Sequence, residues 1–359
     1  MNSIIYFTKY TEKGPSSRYR SYQYKSYLEK DFNLQFYSLF NDDYIDNLYG
    51  NKGQNYFQLF KAYFVRILQV LKCLGTDKIV FIEYELLPYF PPIFEYLLYK
   101  SKVKVILDYD DAIFHSYDLH SNFIIRSLFK NKLPNIAKKA KCIITGSPYL
   151  TSFFLKYNEN VVEIPTSIIF KKYVENYKNT EPNDTVRIGW IGSKSTSLNL
   201  IFLGKLFDTV LKTYPKVTFN FMGCDPKLFN RINSKNVQFF EWSESDELPF
   251  LSTIDIGIMP LQDTLTNRGK CGFKLIQYMA MGKPTISTPL EANVKINRNS
   301  NNFFANNDKE WFLCISEFMK ELNFFKKNVG NKNRKIVENY YSVEVNYLKY
   351  IKLFGQITD

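Results

Sequence analysis

Short apolar runs alternate along this chain with longer stretches in which apolar residues recur every three or four positions. Runs at 3–8 (SIIYFT), 33–39 (NLQFYSL), 78–84 (KIVFIEY), 102–109 (KVKVILDY) and 141–147 (KCIITGS) predict buried strands. The stretches at 14–30 and 56–75 predict helices, the first opened by a Gly-Pro turn and serine caps, the second closed by Gly75. This is the βαβ rhythm of a parallel sheet. It lapses at about 164–184 into a polar stretch rich in Pro and Asn, which reads as a linker. It resumes at 185–193, 217–224, 237–242, 254–261 and 283–288, and a helix at 335–354 is expected to pack back across the linker. The expected fold is α/β, with two Rossmann-like domains facing across a cleft at the carboxyl ends of their strands. The expected boundaries are 1–164, a linker at 165–184, a second domain at 185–334 and a terminal helix at 335–359.

Length agrees with two cores, because 359 residues are too many for one, and 45% hydrophobic residues supply the material. The net charge of +12 suggests an anionic partner, such as phosphates, a negative membrane face or nucleic acid, or else serves solubility alone. Five cysteines, odd in number and without a C-x-x-C pair, read as thiols in a reducing compartment. The first residues, MNSIIYFTKY, enter a strand-like run too short for a signal peptide, and no run reaches the roughly 18 apolar residues of a membrane span. A cytoplasmic location is expected, either free or peripheral at the inner face of the cytoplasmic membrane.

The chemistry concentrates in a few loops. After the apolar run 254–261 comes NRGKCGFKLIQYMAMGKP (267–284), in which Arg268, Lys270 and Lys274 surround Gly269 and Gly272 at the start of a helix. Free backbone N–H groups and the positive end of a helix dipole, with three cations added, suit a diphosphate. Gln277, one turn beyond Lys274, is placed to offer its amide to ribose hydroxyls. After 185–193, a Gly-x-x-Gly turn at Gly189 and Gly192 runs into Ser193, Lys194, Ser195 and Thr196, a second anion-suited loop.

IGWIGSKSTSLNL, followed by DIGIMPLQDTLTNRGKCGFKLIQYMAMGKPTISTPLEAN, resembles the nucleotide-binding domain of GT-B glycosyltransferases of the glycosyl transferases group 1, or family 4, kind. GPSSRYRSYQY and YDDAIF fit a subgroup of bacterial members. The resemblance implies an acceptor on the first domain, a sugar nucleotide on the second, no obligatory metal, and retention of anomeric configuration. It also implies that Lys274 holds phosphate. Family 4 enzymes usually carry two glutamates with seven residues between them near this helix. Here the second falls at Gln277 and the first at Gly269, so the usual donor carboxylate is missing or moved.

LDYDDAIFHSYDLH (107–120) gathers Asp108, Asp110, Asp111, Asp118, His115 and His120. Asp-x-Asp is a metal motif in the other glycosyltransferase fold, but here the nucleotide motifs lie elsewhere, so no metal site is expected. Asp110 and Asp111 either cap a helix or serve with His115 as catalytic groups, activating an acceptor hydroxyl or stabilising an oxocarbenium-like charge. Gly14, Ser16 and Arg18 in GPSSRYR, together with Glu83, are candidates on the acceptor side, and Trp242 is a candidate beside the base. Segments 56–75 and 122–141 interleave aromatics with Lys and Arg and contain no acid, which suits an anionic membrane surface or solvated core helices. The expectation is a hexosyltransferase-type enzyme acting on a nucleoside-diphosphate sugar and a glycan or lipid-linked acceptor in bacterial surface polysaccharide synthesis. It needs no cofactor and does not bind nucleic acid. The alternatives are a GT-B-like nucleotide-sugar epimerase and an inactive sugar-nucleotide-binding module.

Overall fold

The structure, a computed structural model, describes residues 2–49, 56–177, 185–229, 235–298 and 300–358. Residues 178–184 of the expected linker lie outside this set, and residues 170–176 of it form a helix, Phe170–Asn176. The chain divides into two compact units. One comprises Met1–Ser167, Arg268–Cys271 and Val343–Asp359; the other comprises Ile168–Asn267 and Gly272–Ser342.

The first unit holds a six-stranded parallel sheet of β1 (Asn2–Thr8), β2 (Phe32–Ser38), β3 (Ile79–Glu83), β4 (Lys104–Tyr109), β5 (Cys142–Thr145) and β6 (Val161–Glu163), in the order β2-β1-β3-β4-β5-β6. β3 is buried at all five positions and β5 at all four, as strands covered on both faces must be. The order reverses between β1 and β3, which pair in register Ile4↔Ile79 to Phe7↔Ile82, so the loops after β1 and β3 diverge and leave room at the carboxyl edge. The segment 14–30 is not one helix. α1 (Pro15–Arg20) stops at Ser21, whose φ of −127° is not helical, and a 3-10 turn (Tyr22–Tyr24) and a short helix (Lys25–Leu28) follow. The break coincides with Arg20 turning inward. It forms a buried ion pair with Asp108 and donates to the Ile164 carbonyl at 2.7 Å. α2 (Tyr56–Cys73) and α3 (Phe123–Phe129) also belong to this unit.

The second unit repeats the plan with β7 (Val186–Ile191), β8 (Val217–Met222), β9 (Val237–Phe240), β10 (Ile256–Met259), β11 (Thr285–Ser287) and β12 (Phe303–Phe304), ordered β12-β11-β10-β7-β8-β9 and parallel throughout. Here the order reverses between β7 and β10. α4 (Glu244–Thr253) precedes β10, and α5 (Phe273–Ala280) follows it. The last six residues of α5, from Leu275 to Ala280, are all buried. The sheet admits this helix closely at Gly257, where a Cβ would lie 2.3 Å from Cγ of Tyr278.

The helix expected at 335–354 is two helices. Gly330–Tyr340 ends in the second unit, and α6 (Val343–Thr358) belongs to the first. Between them Ser342 forms a parallel bridge with Ile168. In the first unit the α6 residues Tyr350 and Phe354 pack on Tyr24 and Phe32, with centroids 4.7 and 5.5 Å apart.

Candidate functional site

Each sheet has a set of polar and charged groups at the strand carboxyl ends beside its own reversal point. In the second unit, β7 runs into Gly192, a position enforced by crowding: a Cβ there would lie 2.4 Å from the Trp190 ring and 2.7 Å from Thr196 Oγ1. β8 runs into Gly223, which has a positive φ of 72° and whose added Cβ would meet the Gly192 carbonyl at 2.0 Å and Trp242 at 3.2 Å. β10 leads through residues 260–271 to Gly272, the N-cap of α5, in a left-handed conformation (φ 67°). The Tyr278 hydroxyl joins the two strands at the reversal. It accepts the Ile191 N–H at 3.0 Å and donates to the Ile258 carbonyl at 3.3 Å.

Lys274 occupies the first turn of α5, where a cation opposes the helix dipole, and its ammonium lies 5.4 Å from the Trp190 ring centroid. A cation at that place is electrostatically favourable when an anion joins it. Trp242 donates its indole N–H to Glu247 Oε2 at 3.3 Å, and Gln277 donates to Glu247 Oε1 at 2.7 Å and to the Tyr173 hydroxyl at 3.4 Å. Glycine-dictated backbone, two indoles, a lysine and a buried carboxylate therefore meet at one edge of this sheet. The loop after β7 is exposed at Lys194 and Ser195 and is ordered by its own hydroxyls, Ser193 N–H donating to Thr196 Oγ1 at 3.0 Å. The segment after it is a 3-10 helix, Thr196–Leu203.

In the first unit, Glu83 ends β3 inside the protein. Its carboxylate accepts from the Ser17 hydroxyl at 2.7 Å and from the Lys9 N–H at 3.2 Å. Burial, reinforced by the nearby Asp110 and Asp108 charges, pushes the Glu83 carboxyl up to about 8. The next residue, Tyr84, has a φ of 63°, an outlier for a bulky side chain, and its hydroxyl donates to Asp110. Burial also raises Asp110, to about 6, with the Asp108 and Asp111 charges adding to the shift. Asp111 accepts the Ala112 N–H at 2.9 Å and is paired with Lys270 at 2.6 Å. His115 has both ring nitrogens engaged, with Asp118 and with the Tyr149 hydroxyl, each at 2.8 Å.

Several sequence expectations are redistributed by these contacts. Gln277 is buried and spends its amide on Glu247 and Tyr173, so it is packed rather than presented to solvent. Lys270 groups with the first unit through Asp111, and Arg268 is an exposed residue ending a four-residue helix grouped, at that end, with the same unit. Asp108 is locked to Arg20. Neither Asp110 nor Asp111 is a helix N-cap, since Phe114 stands there for the turn His115–Asp118. Gly14 is the N-cap of α1, where a Cβ would meet Tyr10 at 2.4 Å, and Ser16 and the buried Arg18 follow within the helix. Among the described residues no group of three His, Cys, Asp or Glu converges as a metal site. Sequence reasoning missed Ser17, Tyr84 and Tyr149 in the first unit and Trp190, Tyr173 and Glu247 in the second. Tyr84 directly follows the noted Glu83, but its backbone conformation leaves no mark in the sequence. Glu247 lies 30 residues from Gln277 and meets it only through the packing of α4 on the sheet.

Residues 185–321 match the family model described as Glycosyl transferases group 1. A comparison with curated proteins finds no match. The chain is similar to a solved glycosyltransferase from Rickettsia africae, at 16% identity over 99% of this chain and 98% of that one, with a TM-score of 0.71. It is similar to Anabaena HepE in complex with UDP and glucose, at 12% identity over 99% and 100% of the two chains, TM-score 0.72. It is also similar to sucrose-phosphate synthase from Thermosynechococcus elongatus, at 12% identity over 99% of each chain, TM-score 0.68. At such identities the likeness establishes the fold.

Proposed function

We propose that this protein, a glycosyltransferase of the GT-B fold carrying a glycosyl transferases group 1 domain over residues 185–321, moves a sugar from a nucleoside-diphosphate sugar to a glycan or lipid-linked acceptor in bacterial surface polysaccharide synthesis. The observation that carries the reading is Lys274 in the first turn of the buried helix α5, behind the left-handed Gly272 and beside Trp190, at the reversal point of the second sheet. HepE, of like fold, is solved with UDP and glucose, which supports a nucleotide sugar as the donor.

In this reading the second unit holds the donor. The first N–H groups of α5 and the Lys274 ammonium bind the diphosphate and take up the charge that grows on it as the sugar–phosphate bond breaks. Trp242, close against Gly223 and hydrogen-bonded to Glu247, flanks the base and ribose. In this reading Lys274 and the helix N–H groups stand in for a metal, and the family resemblance supports retention, with the acceptor hydroxyl attacking from the face that the diphosphate leaves. The first unit handles the acceptor. Asp110, with a carboxyl poised near neutrality and oriented by Tyr84, accepts the hydroxyl proton, while Glu83, held by Ser17, supports the acceptor side from beneath. His115, engaged at both nitrogens, acts through Tyr149 in this reading.

The test is a transfer assay that follows released nucleoside diphosphate and labelled sugar in the acceptor, with and without EDTA. Transfer that survives chelation is expected. Activity abolished by EDTA and restored by Mn²⁺ would overturn the metal-free mechanism. Turnover of the nucleotide sugar with no acceptor present would favour an epimerase.

A further inference from the structure

The helix α2 packs one side on the core of the first unit through Tyr63, Ile67, Val70 and Cys73. Its opposite side is also apolar. Phe57, Phe60, Phe64, Leu68 and Leu71, spaced by three and four residues, form a second stripe, and all five are exposed. Ordinary surface helices place polar residues there. In α3, Ile125 and Phe129 pack inward, while Phe123 and Leu128 stand 70% and 69% exposed. Side chains this large and this open, in a stripe along α2 and again on α3, are not scattered single hydrophobes, and a relay of contacts runs between the inner sides of the two helices. The Tyr63 hydroxyl donates to the Pro88 carbonyl at 2.7 Å. The adjoining Tyr89, half exposed and held at φ 53°, lays its ring against Tyr117 and His120 at 5.2 and 6.2 Å. Tyr117 in turn packs on Phe129 of α3 at 5.8 Å, and Arg126 of α3 donates to the His120 carbonyl at 2.7 Å.

The charge carried by these two helices has one sign. Two cations of these segments are internal: Arg66 donates to the Thr8 and Tyr37 carbonyls against the Phe7 ring, and Lys132 is buried on Glu85. Lys61 and Lys72, each one helical turn from a stripe residue, remain exposed, as does Lys130 at the end of α3. Neither helix contains an acid. We propose that this face of the first unit, the outer stripe of α2 with the outer side of α3, docks on an anionic lipid bilayer. The apolar side chains enter the headgroup boundary, and Lys61, Lys72 and Lys130 meet the lipid phosphates. Charge complementarity selects this occupant over a second copy of the chain, since two copies would bring like-charged lysine rows together. The docking goes beyond the transfer reaction, and its test does not depend on transfer.

The test is flotation of the full chain with phosphatidylcholine vesicles and with vesicles in which part of that lipid is phosphatidylglycerol. Binding to the anionic vesicles is expected to exceed binding to the neutral ones, and to fall with salt as surface charges are screened over about 10 Å at 0.1 M. Phe60→Gln with Phe64→Gln should lower anionic-vesicle binding by about tenfold or more, because the apolar contact is lost. Lys61→Gln with Lys72→Gln should remove most of the preference for anionic lipid. Leu313→Gln, at an exposed leucine of the second unit, should leave binding unchanged. Circular dichroism and thermal melts check that the variants are folded. Negligible binding to both vesicles, equal binding to both, or a concentration-dependent dimer that Phe64→Gln dissolves would each overturn the proposal.

Discussion

Glu83 keeps its proton at neutral pH because it is buried beside two other carboxylates, with Ser17 and the Lys9 amide as its hydrogen-bond partners among the described residues. Its folded value of about 8 lies above the ordinary 4.5, so the native state retains a proton that the unfolded chain loses. Stability contributed by this residue is therefore full below about pH 4.5 and declines as pH rises towards about 8. Glu83→Gln keeps the hydrogen-bonding shape without the ionisation and should flatten that decline. Urea melts at several pH values measure it, and an unchanged slope in the variant would show that Glu83 is ionised in the fold. Asp110 makes a different prediction. With its carboxyl near 6, an acceptor base should give a kcat/KM that rises with pH through about 6. Asp110→Asn should leave the fold and nucleotide affinity in place, cut turnover about 10²-fold and remove that rise. Near-normal turnover in the variant would return Asp110 to a structural role with Tyr84.

Among the elements, the strands were legible because burial on both faces writes continuous apolar runs, and β3, β4, β7 and β10 fall inside the runs that predicted them. The two-residue β12 and three-residue β6 are too short to show a period. Helix breaks were harder. The pattern across 335–354 is continuous, and only the Ser342–Ile168 bridge interrupts it. The segment 14–30 breaks because Arg20 pairs with Asp108, 88 residues away. The same reasoning explains the site: glycines and lysines are visible as local motifs, while Glu247 on Gln277, Tyr84 on Asp110 and Lys270 on Asp111 are made by tertiary packing. The seat of α5 gives a prediction at this scale. Gly257→Ala places a methyl against the Tyr278 ring, at 2.3 Å from Cγ before relaxation. Overpacking of this kind costs about 1–3 kcal/mol. The midpoint of chemical denaturation should fall accordingly, and an unmoved midpoint would mean that the helix is free to shift away from β10.

At the scale of the whole molecule, two parallel sheets each reverse strand order once, and each has its candidate site residues beside that reversal. The second unit offers a diphosphate-suited helix start and two indoles; the first offers carboxylates whose protons are held near neutrality. That division of chemistry is the central claim, and it rests most heavily on Lys274. Isothermal titration of the wild-type chain and of Lys274→Ala against UDP, GDP, ADP and dTDP, with EDTA present, addresses it directly. One nucleoside diphosphate should bind the wild type without metal, and Lys274→Ala should weaken it by about 1.5–3 kcal/mol, the contribution of a charged hydrogen bond. No binding by any of the four, or a Lys274→Ala variant that binds as tightly as the wild type, would contradict the donor site described above.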